Sequence, residues 1–229
     1  MKKKVAIFDI DGTIFRSSLL VEFTEALIQE GIFPASMRVD YAKSYKRWLE
    51  RRGPYEQYIA DVVAAFNRDM RGVRHSDFDR VARAVVRFHK NRVYRYTRDM
   101  LRDLKNKNYF LLAISHSPKV ILDHFGKDIG FDKIYGRIYE ADTRGKLTGS
   151  TLYNDFISDK SKVLERAIAT ENLTLKNSVG VGDTESDIAF LKMVSRPICF
   201  NPNATLYRHA RRAGWKVVVE RKDVIYMLQ

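Results

Sequence analysis

The feature that most constrains the fold is a series of short apolar runs, each ending in a polar turn and separated from the next by residues at helical spacing. Residues 4–8 form the first run and residues 109–114 the second. Short runs rich in β-branched and aromatic residues are typical of buried strands. Strands that alternate with helices predict an α/β fold in which a doubly wound, mostly parallel sheet is covered on both faces.

The same alternation continues to the end of the chain. The patterns predict helices over 100–106, 119–126, 161–171 and 188–194, strands over 134–139, 178–181, 197–200 and 216–219, and a hairpin turn at 145–149.

The alternation is interrupted by a long segment that has only helical periodicity. From about residue 17 to residue 95, apolar residues recur at helical spacing, and Gly31, Gly72 and the pair Gly53-Pro54 interrupt the pattern. We therefore predict a Rossmann-like core made of residues 1–15 and 95–229. A smaller, all-helical cap of residues 16–94 would cover the strand ends. A chain of 229 residues is long enough for one such core and one accessory domain.

Composition indicates which cellular compartment and which chemical class of partner to expect for the protein. The chain has 41 Lys and Arg against 28 Asp and Glu, and this charge of +13 favours phosphate-rich or acidic partners. Its one cysteine, Cys199, has no partner for an internal disulfide and is expected in the core, which favours a reducing, cytoplasmic setting. The apolar run 5–8 is too short for a signal peptide, and no run is long enough to cross a bilayer, so no membrane partner is expected.

Polar side chains follow three of the predicted strands. Asp9 and Asp11 follow the first, Ser115 the second, and Asp183 a later one. The carboxyl ends of strands in a doubly wound sheet lie at one edge, where ligands bind. We therefore expect these side chains to form one site.

The motifs at these strand ends resemble those of the haloacid dehalogenase superfamily. That family has Asp-x-Asp-Gly-Thr after the first strand, Ser or Thr after the second, then a Lys, and Gly-Asp-x-x-x-Asp after a later strand. The residues that carry the resemblance are Asp9-Ile10-Asp11-Gly12-Thr13, Ser115, Lys160 and Gly182-Asp183-Thr184-Glu185-Ser186-Asp187. The segments Ala113-Ile114-Ser115-His116-Ser117-Pro118, Gly145-Lys146-Leu147-Thr148-Gly149 and Asn201-Pro202 are similar to the phosphoserine-phosphatase-like branch, whose helical cap follows the first motif.

The resemblance implies a phosphatase that depends on Mg²⁺. Asp9, Asp183 and the backbone carbonyl of Asp11 would bind the metal. Asp9 would attack phosphorus and form an aspartyl-phosphate. The carboxyl of Asp11 would protonate the leaving group and later deprotonate water. The expected substrate is a small phosphorylated metabolite.

The resemblance also implies which residues bind the phosphoryl group. Gly12 and Thr13 would bring backbone N–H groups close to phosphate, Ser115 would donate its hydroxyl, and Lys160 would supply a positive charge. His116 is expected to contribute through its backbone rather than as the base of a serine hydrolase, since no Gly-x-Ser-x-Gly elbow is present. Asp187 would hold Lys160 or a metal-bound water.

Two assignments leave alternatives open. Lys162 also lies near the start of the predicted helix, but Lys160 with Leu164 fits the Lys-x-x-x-Leu pattern of the family. Matching the motifs puts Ser18 where phosphoserine phosphatases have a glutamate that binds the substrate ammonium. Glu22, one helical turn further on, could replace that glutamate, so the substrate could be phosphoserine-like or an amino-alcohol phosphate. Cap arginines that could bind a carboxylate or a second phosphate are Arg47, Arg51 and Arg52.

Two other functions remain compatible with the sequence. A phosphotransferase would pass the aspartyl-phosphate to an alcohol instead of water, through the same first half-reaction. A basic protein of this fold could instead bind nucleic acid or an acidic partner. The set Asp9, Asp11 and Asp183 argues against a pure binding protein, because clustered carboxylates repel phosphate unless a metal is bound.

Overall fold

The computed structural model describes residues 2–228. Met1 and Gln229, which belong to the predicted core ranges, lie outside the described residues. The strands, numbered β1 to β8 in chain order, are Lys3–Phe8, Phe110–Pro118, Lys133–Ala141, Leu147–Leu152, Leu173–Gly182, Arg196–Phe200, Lys216–Arg221 and Val224–Leu228. The α-helices, numbered α1 to α10, are Leu19–Gln29, Arg38–Leu49, Tyr55–Asp69, His75–His89, Arg95–Asn106, Lys119–Ile129, Asn154–Ile157, Lys160–Thr170, Ile188–Leu191 and Ala204–Ala213. Short 3-10 helices span Ala35–Met37 and Glu185–Asp187.

The strands form one eight-stranded sheet in the order β4-β3-β2-β1-β5-β6-β7-β8. All pairs from β3 to β7 are parallel, and only the two outermost pairs, β3 with β4 and β7 with β8, are antiparallel. This arrangement is the doubly wound, mostly parallel sheet that the sequence predicts. Strand β1 lies in the middle, and its residues 5–8 are completely buried because helices cover both faces of a parallel sheet.

The register of the central strands aligns their carboxyl ends. Phe8 pairs with Ala113 of β2 on one side and with Val181 of β5 on the other. Asp9 comes next after β1, and its backbone N–H donates to the Val181 carbonyl at 2.9 Å. The polar residues at the carboxyl ends of these three strands therefore lie at one edge of the sheet.

Helices α1 to α4 follow β1, and their buried side chains belong to a hydrophobic cluster that continues onto one face of the sheet. Their buried aromatic side chains meet mostly edge to face, an arrangement that ring quadrupoles favour. Phe66 is the centre of this group, with its ring centroid 5.4 to 6.0 Å from those of Phe23, Phe33 and Phe78. Burial of these rings fixes how the four helices pack.

The hairpin of β3 and β4 joins these helices to the sheet. Between α3 and α4, the N–H of Gly72 donates to the Leu147 carbonyl and the N–H of Leu147 donates to the Val73 carbonyl, each at 2.8 Å. The N–H of His75 likewise donates to the Gly145 carbonyl at 2.8 Å. The ring of Phe66 also contacts Tyr139 of β3, with centroids 5.6 Å apart.

Several element boundaries differ from the predictions. The turn of the hairpin lies at residues 142–146, and 147–149 already belong to β4, because the Asp142 carboxylate accepts from the N–H groups of Arg144 and Lys146. Of the predicted helix 188–194, only the single turn Ile188–Leu191 is helical, and it directly follows the 3-10 helix Glu185–Asp187. Strand β5 begins at Leu173, five residues before the predicted start at 178, with an irregularity opposite Lys4–Ala6.

Two elements near the end of the chain have no counterpart in the predictions. Helix α10 has only two fully buried side chains, Leu206 and Ala210. Strand β8 is mostly exposed and is held at the sheet edge by its antiparallel pairing with β7. Elements with so few buried residues show a weak apolar pattern. Within residues 2–228, no helix is long and apolar enough to cross a membrane.

We expect Phe66→Ala to lower the free energy of unfolding by about 3–5 kcal/mol, because it opens a cavity in the core of α1 to α4. Phe88→Ala is the matched control: Phe66 is 0% exposed, whereas Phe88 is 83% exposed. The control should change stability by less than about 0.5 kcal/mol. Urea denaturation followed by circular dichroism measures both, and equal effects would contradict this description of the core.

Candidate active site

The site begins at the sharp turn after β1. Gly12 has φ +82°, a left-handed conformation that glycine adopts without steric cost. Its N–H donates to the carbonyls of Phe15 and Ser17, at 3.0 and 3.1 Å. A Cβ added to Gly12 would lie 2.1 Å from Oδ2 of Asp183, so this glycine lets the two loops approach each other.

A buried ion-paired triad joins the first and later motifs. Lys160, the first residue of α8, is 2% exposed, and its Nζ donates to Oδ1 of Asp9 and to Oδ1 of Asp187, each at 2.6 Å. Asp159 caps this helix by accepting from the N–H of Ser161 at 3.0 Å. A buried ammonium requires paired charges, and the two carboxylates provide them.

Asp187 also holds the loop after β5. Its Oδ2 accepts from the backbone N–H groups of Asp183 and Thr184, at 2.9 and 3.1 Å. Both of its oxygens are therefore in use, one by Lys160 and one by the loop. This agrees with the supporting role that the resemblance implies for Asp187.

Asp11 is held by three donors. The N–H of Leu19, the first residue of α1, donates to its Oδ1 at 2.5 Å. The hydroxyls of Ser115 and Ser117 donate to its Oδ2, at 2.8 and 2.7 Å. Ser115 is fully buried, so its hydroxyl binds Asp11 here, and Ser117 is the serine that lines the cavity beside the site.

Asp183 completes the acidic group. The Thr13 hydroxyl donates to its Oδ1 at 3.3 Å, so Thr13, fully buried, lies against this carboxylate. One carboxylate oxygen from each of Asp9, Asp183 and Asp187 lies within 4.8 Å of the others, close enough for one metal ion. The predicted set had the Asp11 carbonyl in place of Asp187.

Burial changes the acidity of these groups. Desolvation raises the pKa of Asp9 and that of Asp183 above their ordinary values, and neighbouring carboxylates raise both further while Lys160 opposes the shift. Desolvation likewise raises the pKa of Asp11, against its three hydrogen bonds. Burial would lower the pKa of Lys160, but Asp187 and Asp9 raise it above its usual value, so this side chain stays charged.

His116, near the end of β2, and Arg137, on β3, line the same cavity. Burial lowers the pKa of His116 to about 4, helped by the charges of Lys160 and Arg137, so His116 is neutral at pH 7. Arg137 lines the cavity, and its buried Nε has no hydrogen-bond partner among the described residues. Neither Arg137 nor Ser117 is among the site residues predicted from the sequence. The spacing of Ser115 and Ser117 on one strand could have pointed to Ser117, whereas no local signal points to Arg137.

The cavity has a volume of about 570 Å³ and lies between the sheet edge and helices α1 to α3. That size is in the range of small-molecule sites. The sheet, its loops and the start of α8 contribute polar lining residues: Asp9, Asp11, Gly12, His116, Ser117, Arg137, Lys160 and Asp183. Helices α1 to α3 contribute Glu56 and a set of largely apolar residues: Leu20, Trp48, Tyr55, Ile59, Ala60 and Val63.

The structure separates the alternatives left open by the sequence. Lys162 is 60% exposed and lies 4.0 Å from Asp159, far from the pairs that Lys160 makes. The three cap arginines proposed from the sequence, Arg47, Arg51 and Arg52, are exposed and do not line this cavity. They lie on or just after α2, where long charged side chains extend into solvent.

Clustered carboxylates and a buried lysine at the carboxyl edge of a parallel sheet define an α/β protein with an acidic ligand site. The family model of the haloacid dehalogenase-like hydrolases matches residues 6–192. The chain belongs to this family.

Known proteins resemble the whole chain. A phosphoserine phosphatase of Methanocaldococcus jannaschii is 23% identical, over 100% of this chain and 97% of the relative. A histidinol-phosphatase of Neisseria meningitidis serogroup C is 22% identical, over 94% of this chain and 98% of the relative. The solved structure of a phospho-aspartyl intermediate analogue of phosphoserine phosphatase has a TM-score of 0.61 and 21% identity, covering 97% of this chain and 96% of that one.

These comparisons confirm three predictions: the superfamily with its phosphoserine-phosphatase-like branch, the Rossmann-like fold, and the enzyme class of a phosphoric monoester hydrolase. The roles of individual residues, and the division into core and cap, stay predictions.

We expect Gly12→Ala to lower phosphatase activity on the order of 100-fold, because the new Cβ displaces the Asp183 carboxylate and misplaced reacting groups cost about this much. Gly72→Ala is the matched control. It has φ +83° and no heavy atom within 4 Å of the added Cβ, so it shares only the backbone cost of roughly 1–2 kcal/mol. Assays on both variants test this, and similar activity losses would contradict the proposed contact.

Proposed function

We propose that this protein hydrolyses small phosphomonoesters with the help of Mg²⁺, through an aspartyl-phosphate on Asp9. The observation that carries the proposal is the Asp9–Lys160–Asp187 triad, which lies with Asp11 and Asp183 at one side of a cavity of ligand size. The resemblance to phosphatases, one of them solved as a phospho-aspartyl intermediate analogue, supports the same chemistry.

The donor set fits Mg²⁺. Asp9, Asp183 and Asp187 offer only oxygen, the ligand that hard cations prefer. Three carboxylates share a single buried cation, Lys160, so the group has a surplus of negative charge that a divalent ion would neutralise. Asp9, Asp183 and the backbone carbonyl of Asp11 would hold the ion, while Asp187 has both oxygens occupied. When bound, Mg²⁺ supplies positive charge to the phosphoryl oxygens.

Asp9 is suited to be the nucleophile. Lys160 donates to its Oδ1, which fixes the carboxylate and leaves Oδ2 to attack phosphorus. A bond forms between that oxygen and phosphorus as the ester P–O bond breaks, and the alcohol oxygen leaves with the bonding electrons. Lys160 favours the ionised form of Asp9, against the desolvation that raises the pKa of this carboxyl.

Asp11 is suited to move the proton in both half-reactions. Burial raises its pKa, which favours a carboxyl that holds a proton to give to the departing alkoxide. A water molecule then attacks phosphorus, its proton passes to Asp11, and the bond between phosphorus and the Asp9 oxygen breaks. The products are an alcohol, inorganic phosphate and regenerated Asp9. The hydroxyls of Ser115 and Ser117 position the Asp11 carboxyl throughout.

Donors from the loop after β2 and from β3 would bind the phosphoryl oxygens. Arg137 has an unused buried Nε beside the cavity, and guanidinium groups bind phosphate in bidentate fashion. Ser117 lines the same side. We place residues 16–94 as a cap that covers the site and keeps bulk water from the aspartyl-phosphate.

We expect Asp9→Asn to reduce turnover of an aryl phosphate on the order of 10⁴-fold or more, as nucleophile removal does in other enzymes. Because Asn is isosteric with Asp, the fold should persist, which circular dichroism checks. EDTA should abolish the activity of the wild-type enzyme, and added Mg²⁺ should restore that activity. Activity retained by the variant, or by the metal-free protein, would exclude this mechanism.

Substitution of each of the two lysines tests whether the positive charge in the triad is needed for activity. Lys160→Ala should reduce activity roughly 10²- to 10³-fold, since it removes a buried positive charge next to the reacting groups. Lys162→Ala, which removes a 60% exposed lysine two residues away, should change activity by less than about twofold. Steady-state kinetics on the two variants decide the matter, and the opposite ranking would overturn the assignment.

A further inference from the structure

Helices α1 to α3 contribute aromatic and aliphatic side chains to the lining of the cavity. Tyr55, Ile59 and Val63 lie at successive turns of α3 and so share one face of the helix. Trp48, near the end of α2, and Leu20 of α1 extend the same surface. We call these five side chains the apolar wall.

The ring of Trp48 is held in place by its neighbours. It stacks on Tyr58 with centroids 5.8 Å apart and an angle of 10° between the planes. Tyr55 lies on it at 5.0 Å, and Tyr45 at 5.9 Å. Such packing restricts the indole, so the apolar wall presents a formed surface to the cavity.

The side chains that the sequence offers for an amino-acid ammonium are engaged elsewhere. Ser18, at the position of the expected glutamate, uses its hydroxyl to cap α1 by accepting from the N–H of Val21 at 3.5 Å. Glu22 does not line the cavity. Its carboxylate pairs with Arg92 at 2.7 Å and lies 3.3 Å from His89.

The two glutamates that do line the cavity are also engaged. Glu56, on α3, and Glu185, beside the 3-10 turn, both accept from Nδ2 of Asn203. The volume of about 570 Å³ corresponds to about 19 liquid water molecules at roughly 30 Å³ each. A phosphate group with a short polar chain would leave the apolar wall facing water.

Resting on the proposed function, we propose that the preferred substrates are phosphomonoesters of primary alcohols that carry an aromatic ring, with the ring packed on the apolar wall. The phosphate would lie at Asp9 and Lys160. Ring faces of Trp48 and Tyr55 favour a flat aromatic group over a branched chain, because offset and edge-to-face ring pairs gain energy beyond the area they bury. Water released from both surfaces adds to this preference.

Substrates matched in leaving-group chemistry test the proposal. 2-Phenylethyl phosphate and ethyl phosphate both release a primary alcohol, so their reactivities differ little, and phosphoserine supplies the charged head group. The wild-type enzyme with Mg²⁺ should show kcat/KM for 2-phenylethyl phosphate at least about tenfold above both others. Equal values, or a preference for phosphoserine, would overturn the proposal.

Substitutions in the apolar wall test whether its side chains cause the preference for a substrate with an aromatic ring. Trp48→Ala and Ile59→Ala should each reduce kcat/KM for 2-phenylethyl phosphate by about tenfold and leave ethyl phosphate within about twofold. Trp48→Phe should retain most of the kcat/KM that Trp48→Ala loses, because phenylalanine also supplies an aromatic ring. Leu49→Ala, next to Trp48 on α2 but 55% exposed, is the matched control and should change neither substrate. A parallel loss on both esters would mean a structural effect and would contradict the assignment.

Fluorescence measures binding without turnover. The chain has two tryptophans, Trp48 in the cavity and Trp215 outside its lining, so Trp215→Phe leaves Trp48 as the only indole. In the Asp9→Asn, Trp215→Phe double variant with Mg²⁺, 2-phenylethyl phosphate should shift the Trp48 emission at concentrations at which ethyl phosphate does not. Identical titrations would overturn the proposal.

The two experiments separate failure of the inference from failure of the proposed function. Hydrolysis of all three esters at equal rates would retain the phosphatase mechanism and remove the aromatic preference. Hydrolysis of none, together with ring-dependent emission shifts, would remove the mechanism and retain the apolar wall as a binding surface for aromatic rings.

Discussion

The site depends on one buried ammonium. Lys160 has almost no exposure, and a charge so removed from water is stable only when carboxylates surround it. Its partners come from distant parts of the chain, Asp9 after β1 and Asp187 after β5, so the ion pairs link two strand ends to the start of α8. The same charge limits the mutual repulsion of the carboxylates. The triad therefore both holds the strand ends together and reduces the repulsion between the carboxylates.

The cavity divides its chemistry between two parts of the chain. The strand ends supply charge: carboxylates, Lys160 and Arg137. Helices α1 to α3 supply most of the apolar surface, including Trp48 and Ile59. This division follows from the fold, since polar backbone and side chains collect where parallel strands end, while amphipathic helices turn their apolar faces inward. Backbone hydrogen bonds between residues 72–75 and the β3–β4 hairpin hold the two parts together.

Most of the fold could be predicted from periodicity, because buried strands and helices leave patterns of different spacing. Apolar runs such as residues 4–8 and 109–114 become the central strands β1 and β2. The predictions fail where burial is slight or a local hydrogen bond decides the structure. Strand β8 is largely exposed, and the hairpin turn lies at 142–146 because the Asp142 side chain binds two backbone N–H groups there.

The sequence by itself determined the alternation of strands and helices, the family, and the polar residues at the strand ends, because these depend on spacing along the chain. Only the tertiary structure decided which side chains from distant parts of the chain come into contact. It brings Ser117 to Asp11 and places Arg137 of β3 and Trp48 of α2 in the lining of the same cavity as Asp9. No local pattern encodes these contacts, since they depend on how separate helices and strands pack.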